Sequence, residues 1–204
     1  MSLWAIVPVK PLRRGKSRLA NVLTEEERTL LNYTMLANTL KTLTSTPEVD
    51  QVLVVTRDTS VLALARDFNA RTLQEDGSSH LNTALKRATV VAQMYSAQSV
   101  LVLPDDLPLL NVDSLQQFIH GAGKPPVVAI APDRRREGTN ALYISPVGIL
   151  DYQFGHNSFQ KHVAQAEKRR IRVEVCEIPE LELDLDLPED LELLRNMELL
   201  QADH

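Results

Sequence analysis

Residues 3–18 read Leu-Trp-Ala-Ile-Val-Pro-Val-Lys-Pro-Leu-Arg-Arg-Gly-Lys-Ser-Arg, an apolar run that passes directly into a basic loop. The run is apolar at consecutive positions, which predicts a strand buried on both faces, because a half-exposed strand would alternate in polarity. Five of the nine residues in the loop 10–18 are Lys or Arg. Since open α/β sheets bind ligands beyond the carboxyl ends of their strands, this stretch predicts an α/β fold with an anion site.

Similar short runs rich in Val, Ile and Leu recur along the chain and alternate with helical patterns. The first helix begins with a capping box, in which Thr24 precedes Glu27 by three residues. The alternation predicts a mainly parallel sheet with helices on both faces, in a single domain that covers residues 1–204. The predicted strands are 3–9, 51–56, 70–74, 99–103, 126–131, 141–145 and 171–178, and the predicted helices are 24–45, 59–68, 80–97, 112–120, 158–170 and 188–200.

The composition of the 204-residue chain is that of a globular protein, with 44% hydrophobic and 24% charged residues. A single cysteine, Cys176, excludes an internal disulfide framework. No apolar run approaches the roughly 20 residues of a membrane span, and the first residues lack the charge order of a signal peptide. The net charge of −5 disfavours a nucleic-acid surface. We therefore expect a cytoplasmic protein without membrane or nucleic-acid partners, while composition leaves open the oligomeric state, a homodimer included.

The basic loop contains Gly15-Lys16-Ser17, which matches the end of a P-loop signature. A P-loop also needs a glycine five residues before Gly15, and Lys10 occupies that position. The cations themselves are therefore the candidate phosphate ligands. They can bind the β- and γ-phosphates of a nucleoside triphosphate and stabilise the negative charge that develops as pyrophosphate leaves. The alternative is a solvated basic loop. A second basic cluster, Arg134–Arg136, carries the same two interpretations.

Polar residues also follow the third predicted strand. Asp76 and Asn82 are candidates for recognition of a base and a ribose, with a turn and a helix cap as the alternative. The histidines along the chain have no ligand-like spacing, so we expect them to be structural or solvated.

Carboxylates mark a candidate metal site. The segment Pro104-Asp105-Asp106-Leu107-Pro108 follows the fourth predicted strand and holds two carboxylates in a stiff turn. Mg²⁺ binds carboxylate oxygens and substrate phosphates, so this turn favours a metal site over a simple Asp-capped turn. Near the end of the chain, Asp184 and Asp186 are candidates for a second carboxylate, or for partners of a helix dipole.

Uncharged donors mark a second candidate anion site. Thr139 precedes the sixth predicted strand, and Gly155 and Ser158 lie at the start of the helix 158–170. A helix start offers unpaired N–H groups to an anion, and a glycine lets the backbone approach closely. Ser158 could instead act only as the N-cap of that helix.

The candidate residues belong to longer segments that occur in a fixed order: Val7–Leu12, Lys16–Leu19, Leu81-Asn82 with Ala84, Leu103-Pro104 with Asp106-Leu107-Pro108, Gly138–Asn140, Phe154-Gly155 with Ser158, and Asp184–Asp186 with Pro188, Asp190 and Leu191. Together they resemble the 2-phospho-L-lactate / phosphoenolpyruvate guanylyltransferases of coenzyme F-420 biosynthesis. The resemblance spans nearly the whole chain. Two departures from the family pattern are Asp105, which stands where a small residue is common, and Leu187, which stands where a threonine often precedes the proline.

The resemblance implies a GT-A-like (Rossmann-like) nucleotidyltransferase fold. It implies transfer of GMP from GTP to a small phosphorylated carboxylic acid, with Mg²⁺ as cofactor and pyrophosphate as the second product. Two other functions stay open, namely a sugar-phosphate or other small-acid nucleotidyltransferase on the same fold, and a catalytically inactive nucleotide-binding regulator. The basic loop lacks the Gly-rich signature of the first, and the retention of Asp106 with that loop disfavours the second.

The resulting hypothesis assigns a role to each site residue. It leaves open the acceptor, which is phosphoenolpyruvate, 2-phospho-L-lactate or 3-phosphoglycerate, the choice between Asp184 and Asp186, and the role of Asp105. The predicted residues are Lys16, Arg18 and Asp106 for catalysis, Lys10, Lys16, Arg18, Asp76 and Asn82 for the nucleotide, Thr139, Gly155 and Ser158 for the acceptor, and Asp106 and Asp186 for Mg²⁺.

Overall fold

The apolar run at the start of the chain forms strand β1, Leu3–Pro8, which lies between two parallel neighbours in a seven-stranded sheet. The computed structural model describes residues 2–75 and 80–202. All seven predicted strands are confirmed, and only the last is much shorter than predicted. The other strands are β2 (Gln51–Thr56), β3 (Arg71–Gln74), β4 (Ser99–Val102), β5 (Val127–Pro132), β6 (Thr139–Ser145) and β7 (Arg172–Val175).

The six predicted helices are also present. The capping box at the first of them is confirmed, because the Glu27 N–H donates to Thr24 Oγ1 at 3.2 Å and the Thr24 N–H donates to the Glu27 carboxylate at 2.7 Å. Three one-turn elements were not predicted, since they are too short to show a period: a helix α6 and 3₁₀ turns at Leu12–Arg14 and Ser17–Leu19. The helices are α1 (Glu25–Ser45), α2 (Thr59–Asp67), α3 (Leu81–Met94), α4 (Val112–Gly121), α5 (Ser158–Lys168), α6 (Pro179–Glu182) and α7 (Pro188–Ala202).

The strand order is β3-β2-β1-β4-β6-β5-β7, and the sheet is mainly parallel as predicted. Strand β6 is the exception, since it pairs antiparallel with both β4 and β5. Only residues 133–138 connect β5 to β6, which is too short for the crossover that parallel strands need. The chain therefore reverses at this point and starts β6 at the edge where β5 ends.

Helices cover both faces of the sheet. Helices α1, α2, α4 and α6 pack on one face and α3 and α5 on the other, so β1 contributes alternate residues to two hydrophobic cores. This explains the continuous apolar run, because a strand covered on both sides has no solvent-facing position. Among the described residues, no helix has the length and apolar character to cross a membrane.

Candidate active site

One edge of the sheet carries most of the segments predicted to bind ligands. Strands β1, β4 and β5 end there, and β6 begins there, because Pro132 at the end of β5 pairs with Thr139 at the start of β6. The basic loop follows β1, and the Asp105-Asp106 turn follows β4. The topology thus brings together three segments that are far apart in the sequence.

Lys16 lies between two carboxylates at this edge. Its Nζ is 3.7 Å from Asp106 Oδ2 and 3.6 Å from Asp186 Oδ1, and only 7% of its side chain is exposed. Arg18 Nη1 lies 3.5 Å from Asp186 Oδ2, but the Arg18 side chain is 68% exposed. The structure therefore brings together two cations predicted for catalysis and the two aspartates predicted for Mg²⁺.

The backbone before Lys16 is fastened to helix α1. A Cβ atom on Gly15 would lie 2.5 Å from Asn32 Nδ2, so this close approach requires glycine. Asn32 Nδ2 in turn donates a hydrogen bond to the Leu12 carbonyl at 2.7 Å. Lys16 then takes a left-handed conformation, with φ 55° and ψ 35°, which is uncommon for a residue with a side chain. A fixed, unusual turn thus holds the Lys16 ammonium among the carboxylates.

More carboxylates lie near Lys16 than its single positive charge can neutralise. Among the described residues, Asp106 Oδ1 has no hydrogen-bond partner although it is buried. Burial, together with the nearby negative charge of Asp106, raises the pKa of Asp184 to about 6 and the pKa of Asp105 to about 7. An unpartnered buried oxygen in a crowded carboxylate cluster fits a hard divalent cation such as Mg²⁺.

The cluster does not enclose a metal ion by itself. Within the part of the chain that the structure describes, no group of three or more His, Cys, Asp or Glu side chains is arranged to hold one. Mg²⁺ is commonly bound by one or two carboxylates together with waters and substrate phosphates. The residues present therefore fit a metal that arrives with a phosphorylated substrate better than a permanently bound one.

The segment Asp184–Asp186 is held in place by hydrogen bonds of its backbone. The Leu185 N–H donates to the Asp106 carbonyl at 2.9 Å, which places this segment against the first aspartate. The buried Asp190 carboxylate accepts from the N–H groups of Asp186 at 3.1 Å and Leu187 at 2.8 Å. Asp190, the third residue of α7, thus supplies the reciprocal half of a capping box by accepting from the Leu187 N–H, and it fixes the position of Asp186.

Two arginines of the second basic cluster form ion pairs within the protein. Arg134 pairs with Asp190, and Arg136 pairs with Glu177 and lies over the Phe159 ring at 5.2 Å from its centroid. Both arginines therefore have internal anionic partners, and binding of an external anion by this cluster stays a prediction.

The predicted acceptor residues lie where β6 meets helix α5. Successive strand residues point to opposite faces, so Thr139 is directed to α5, while Asn140 donates to the Leu181 carbonyl at 2.8 Å in the segment before the carboxylates. Gly155 has φ +118°, which favours glycine, and a Cβ there would meet nothing within 4 Å. The Gly155 backbone therefore faces open space, which a small ligand can fill.

The start of α5 differs from the prediction in two respects. The N-cap is Asn157, in a left-handed conformation without a side-chain cap bond, and Ser158 is the first helical residue. The N–H groups of Ser158 and Phe159 are occupied, since they donate to the carbonyls of Gly155 and Glu137 at 3.1 Å each. The expected free N–H groups are therefore absent at these two positions, and the buried Ser158 offers its hydroxyl instead.

His162 links Thr139 to the segment before Gly155, and sequence reasoning missed it as a site residue. Its ring is fully buried, with Nδ1 3.0 Å from Thr139 Oγ1 and Nε2 accepting from the Gln153 N–H at 3.0 Å. The Phe154 ring packs edge-on against it, with centroids 5.0 Å apart. The available signal was its spacing of four residues from Ser158, which places both on one face of α5.

His162 predicts a pH dependence of stability. Burial, and secondarily the charge of Lys161, lowers its pKa from 6.5 to about 4. Below pH 6.5 the unfolded chain takes up a proton that the folded protein refuses, so stability falls as pH falls, and above pH 6.5 the effect disappears. The loss should reach about 2 kcal/mol at pH 5. Urea unfolding of the wild type and of His162→Gln at pH 7.5 and pH 5 measures it.

The comparison with the variant is needed because Asp105 and Asp184 act in the opposite sense. Their raised pKa values make the folded protein bind protons first, so they add stability as pH falls. Both proteins share these groups, so the difference in pH slope isolates the imidazole. Identical slopes in the two proteins would contradict the prediction.

The structure gives less information on the residues predicted to bind the nucleotide. Asn82 uses both ends of its amide on Phe154, accepting from its N–H at 2.8 Å and donating to its carbonyl at 3.1 Å. Asn82 therefore positions the Gly155 turn, and a direct base contact stays a prediction. Asp76 lies outside the described residues. Lys10 is exposed after β1, where its charge opposes the rise in the pKa of Asp105.

A mixed sheet of this order, with a basic loop after its first strand and aspartates after its fourth, is found among solved nucleotidyltransferase structures. The fold is similar to that of a nucleotidyl transferase from Methanothermobacter thermautotroptrophicus, with a TM-score of 0.70 and 18% identity over 98% of this chain and 99% of that one. Residues 3–197 match the family described as Guanylyl transferase CofC like, and the chain belongs to that family.

Two relatives from different organisms agree with this assignment. The chain is 42% identical to a phosphoenolpyruvate guanylyltransferase of Rubrobacter xylanophilus, over 94% of this chain and 92% of the relative. It is 30% identical to a 2-phospho-L-lactate guanylyltransferase of Methanobrevibacter smithii, over 93% of this chain and 82% of the relative. The resemblance read from the sequence is thereby confirmed, and the protein is a nucleotidyltransferase enzyme of the guanylyltransferase type.

Proposed function

We propose that the enzyme transfers GMP from GTP to phosphoenolpyruvate or 2-phospho-L-lactate and releases pyrophosphate, as a step of coenzyme F-420 biosynthesis. The observation that carries the proposal is the placement of Lys16 between Asp106 and Asp186, at the edge of the sheet where β6 begins with Thr139. The cations suit a triphosphate, and the uncharged donors can form hydrogen bonds to the anionic groups of a small acid. A cytoplasmic location belongs to the same proposal, since both substrates are charged solutes that do not cross membranes unaided.

The nucleotide half consists of the basic loop and the carboxylate cluster. Lys16 and Arg18, with the exposed Lys10, would hold the triphosphate and stabilise the charge of the departing pyrophosphate. Asp106 would hold Mg²⁺ together with Asp186 or Asp184. When bound, Mg²⁺ supplies charge neutralisation at the phosphate oxygens.

The acceptor half consists of the Thr139 and Ser158 hydroxyls and the backbone at Gly155. These neutral donors can bind a phosphate and a carboxylate without competing with the lysines for the triphosphate. An oxygen of the acceptor phosphate attacks the α-phosphorus of GTP and pyrophosphate leaves. The attacking oxygen is already anionic, so the protein needs no strong base, and its main task is to align the two substrates.

The identity of the relatives ranks the acceptors. The relative that acts on phosphoenolpyruvate is 42% identical, against 30% for the one that acts on 2-phospho-L-lactate, which supports phosphoenolpyruvate as the first candidate. In both acids the phosphate and the carboxylate are attached to the same carbon, so the same pocket can bind either. 3-Phosphoglycerate shares the two anionic groups but spaces them differently.

The test is release of pyrophosphate from GTP in the presence of Mg²⁺ and each of the three acids, with mass spectrometry of the product. We expect turnover with phosphoenolpyruvate and a guanylylated product. GTP should be preferred over ATP, CTP and UTP, because guanine presents a ring N–H and an amine to a carboxylate such as Asp76. Equal turnover with ATP would contradict the base assignment.

Two results would favour the other functions. Turnover with a sugar 1-phosphate but with none of the three acids would move the enzyme to another acceptor class on the same fold. Binding of GTP without turnover of any acceptor would support an inactive regulator.

A further inference from the structure

A buried imidazole links the two halves of the proposed acceptor pocket. His162 Nδ1 lies 3.0 Å from Thr139 Oγ1 on β6, and His162 Nε2 lies 3.0 Å from the Gln153 nitrogen in the segment that leads to Gly155. The same side chain lies four residues after Ser158 on α5. No other described side chain makes hydrogen bonds to both of these segments.

The hydrogen on this ring has a determined position. A backbone N–H can only donate, so His162 Nε2 must accept from Gln153 and carries no hydrogen. A neutral imidazole then bears its single hydrogen on Nδ1, and burial keeps the ring neutral by lowering its pKa to about 4. Nδ1–H therefore donates to Thr139 Oγ1.

This direction fixes the role of the threonine hydroxyl. Thr139 Oγ1 uses a lone pair to accept from His162, so its own hydrogen points elsewhere. Within the described part of the chain, the hydroxyl has no second hydrogen-bond partner, and 7% of the residue remains exposed. A hydroxyl held in this way is a preorganised donor, which is what an anionic oxygen requires.

We infer that His162 is a positioning residue that orients the Thr139 hydroxyl as a hydrogen-bond donor to the phosphate or carboxylate of the acceptor. The inference rests on the proposed function, because it assigns a task within the proposed acceptor pocket. His162 acts through Thr139 and does not touch the reacting atoms.

A double-mutant cycle separates this role from simple packing. Thr139→Val removes the hydroxyl, and His162→Gln places an amide near the Nε2 position but none near Nδ1. We expect each single variant to raise KM for phosphoenolpyruvate about tenfold or more, the typical loss of one hydrogen bond to a charged group, with KM for GTP unchanged. The double variant should be no worse than Thr139→Val alone. Independent, multiplying effects would overturn the inference.

A matched variant tests the same point from the other side. His162→Asn places an amide nitrogen near the former Nδ1 position, where it can donate to Thr139, although it loses the acceptor for Gln153. We expect KM for phosphoenolpyruvate within about threefold of the wild type, which is far less than for His162→Gln. An equal rise in both variants would mean that only packing of the ring matters.

An observation on the unmodified protein covers the case in which a variant does not fold. Two-bond ¹H–¹⁵N correlation spectra of the wild type report which ring nitrogen carries the hydrogen, and we expect Nδ1–H for His162 at pH 7.5. The Nε2–H form, or a charged ring, would overturn the inference while leaving the proposed function intact. If Thr139→Val leaves KM for phosphoenolpyruvate unchanged, or no acceptor binds by calorimetry, the proposed pocket fails and the inference fails with it.

Discussion

Asp106→Asn should lower kcat for guanylyl transfer by about two to three orders of magnitude, the usual loss when a preorganised charged group is removed from a site of phosphoryl chemistry. The asparagine keeps the shape of the side chain and removes its charge. Asp106 Oδ1 has no hydrogen-bond partner among the described residues and lies in a crowded carboxylate cluster. The variant should therefore fold, with a melting temperature equal to or above that of the wild type.

Asp67→Asn is the matched control. Asp67 is an exposed aspartate at the end of α2. It comes just before the start of β3, whereas the candidate site lies at the edge where β1 and β4 end. Steady-state kcat with GTP and phosphoenolpyruvate, and the melting temperature, should both stay at wild-type values in this control. A folded Asp106→Asn protein with near-normal kcat would show that the turn between Pro104 and Pro108 is only structural.

Replacement of Lys16 by methionine should lower kcat by about a hundredfold, corresponding to roughly 3 kcal/mol of transition-state stabilisation. Lys16 Nζ is the most enclosed cation of the basic loop, with 7% of the side chain exposed. Methionine preserves the packing of the aliphatic stem, so stability should change less than activity. KM for phosphoenolpyruvate should stay constant, because the neutral pocket at Thr139 is a separate set of contacts.

Lys41→Met serves as the control for charge, since Lys41 is exposed on α1. Its kinetics should match the wild type. If Lys16→Met turns over GTP at the wild-type rate, the contacts of Lys16 with Asp106 and Asp186 form a structural ion pair, and the triphosphate is held elsewhere.

The architecture was predictable because its signals are local and repeated. Residues 3–9 are apolar without alternation, and the structure explains this by cores on both faces of β1. The same pattern predicted where the site lies, because the carboxyl ends of parallel strands meet at one edge of the sheet. Lys16 and Asp106 could be chosen because each follows a predicted strand of the sheet interior.

The supporting residues could not be predicted, because their partners are distant in the sequence. Asn82 and Phe154 are separated by 72 positions, and Arg134 and Asp190 by 56. Asn82 follows a predicted strand, and this position indicated base recognition. Only the tertiary structure shows that its amide is already hydrogen-bonded to the Phe154 backbone. His162 was missed for the same reason, since its role depends on Thr139, 23 positions away.

The reversal of β6 brings the proposed acceptor residues, which come late in the chain, to the edge that carries the proposed nucleotide residues. The proposed nucleotide residues Lys16, Arg18 and Asp106 come from the loops after β1 and β4, and Asp186 joins them from the segment before α7, whereas the proposed acceptor residues lie at the start of β6, in the segment before α5 and in α5 itself. The reversed strand returns this later region to the edge where the earlier strands end. We therefore expect that exchange of residues 133–162 with those of a relative alters which acid is guanylylated and leaves the choice of nucleotide unchanged.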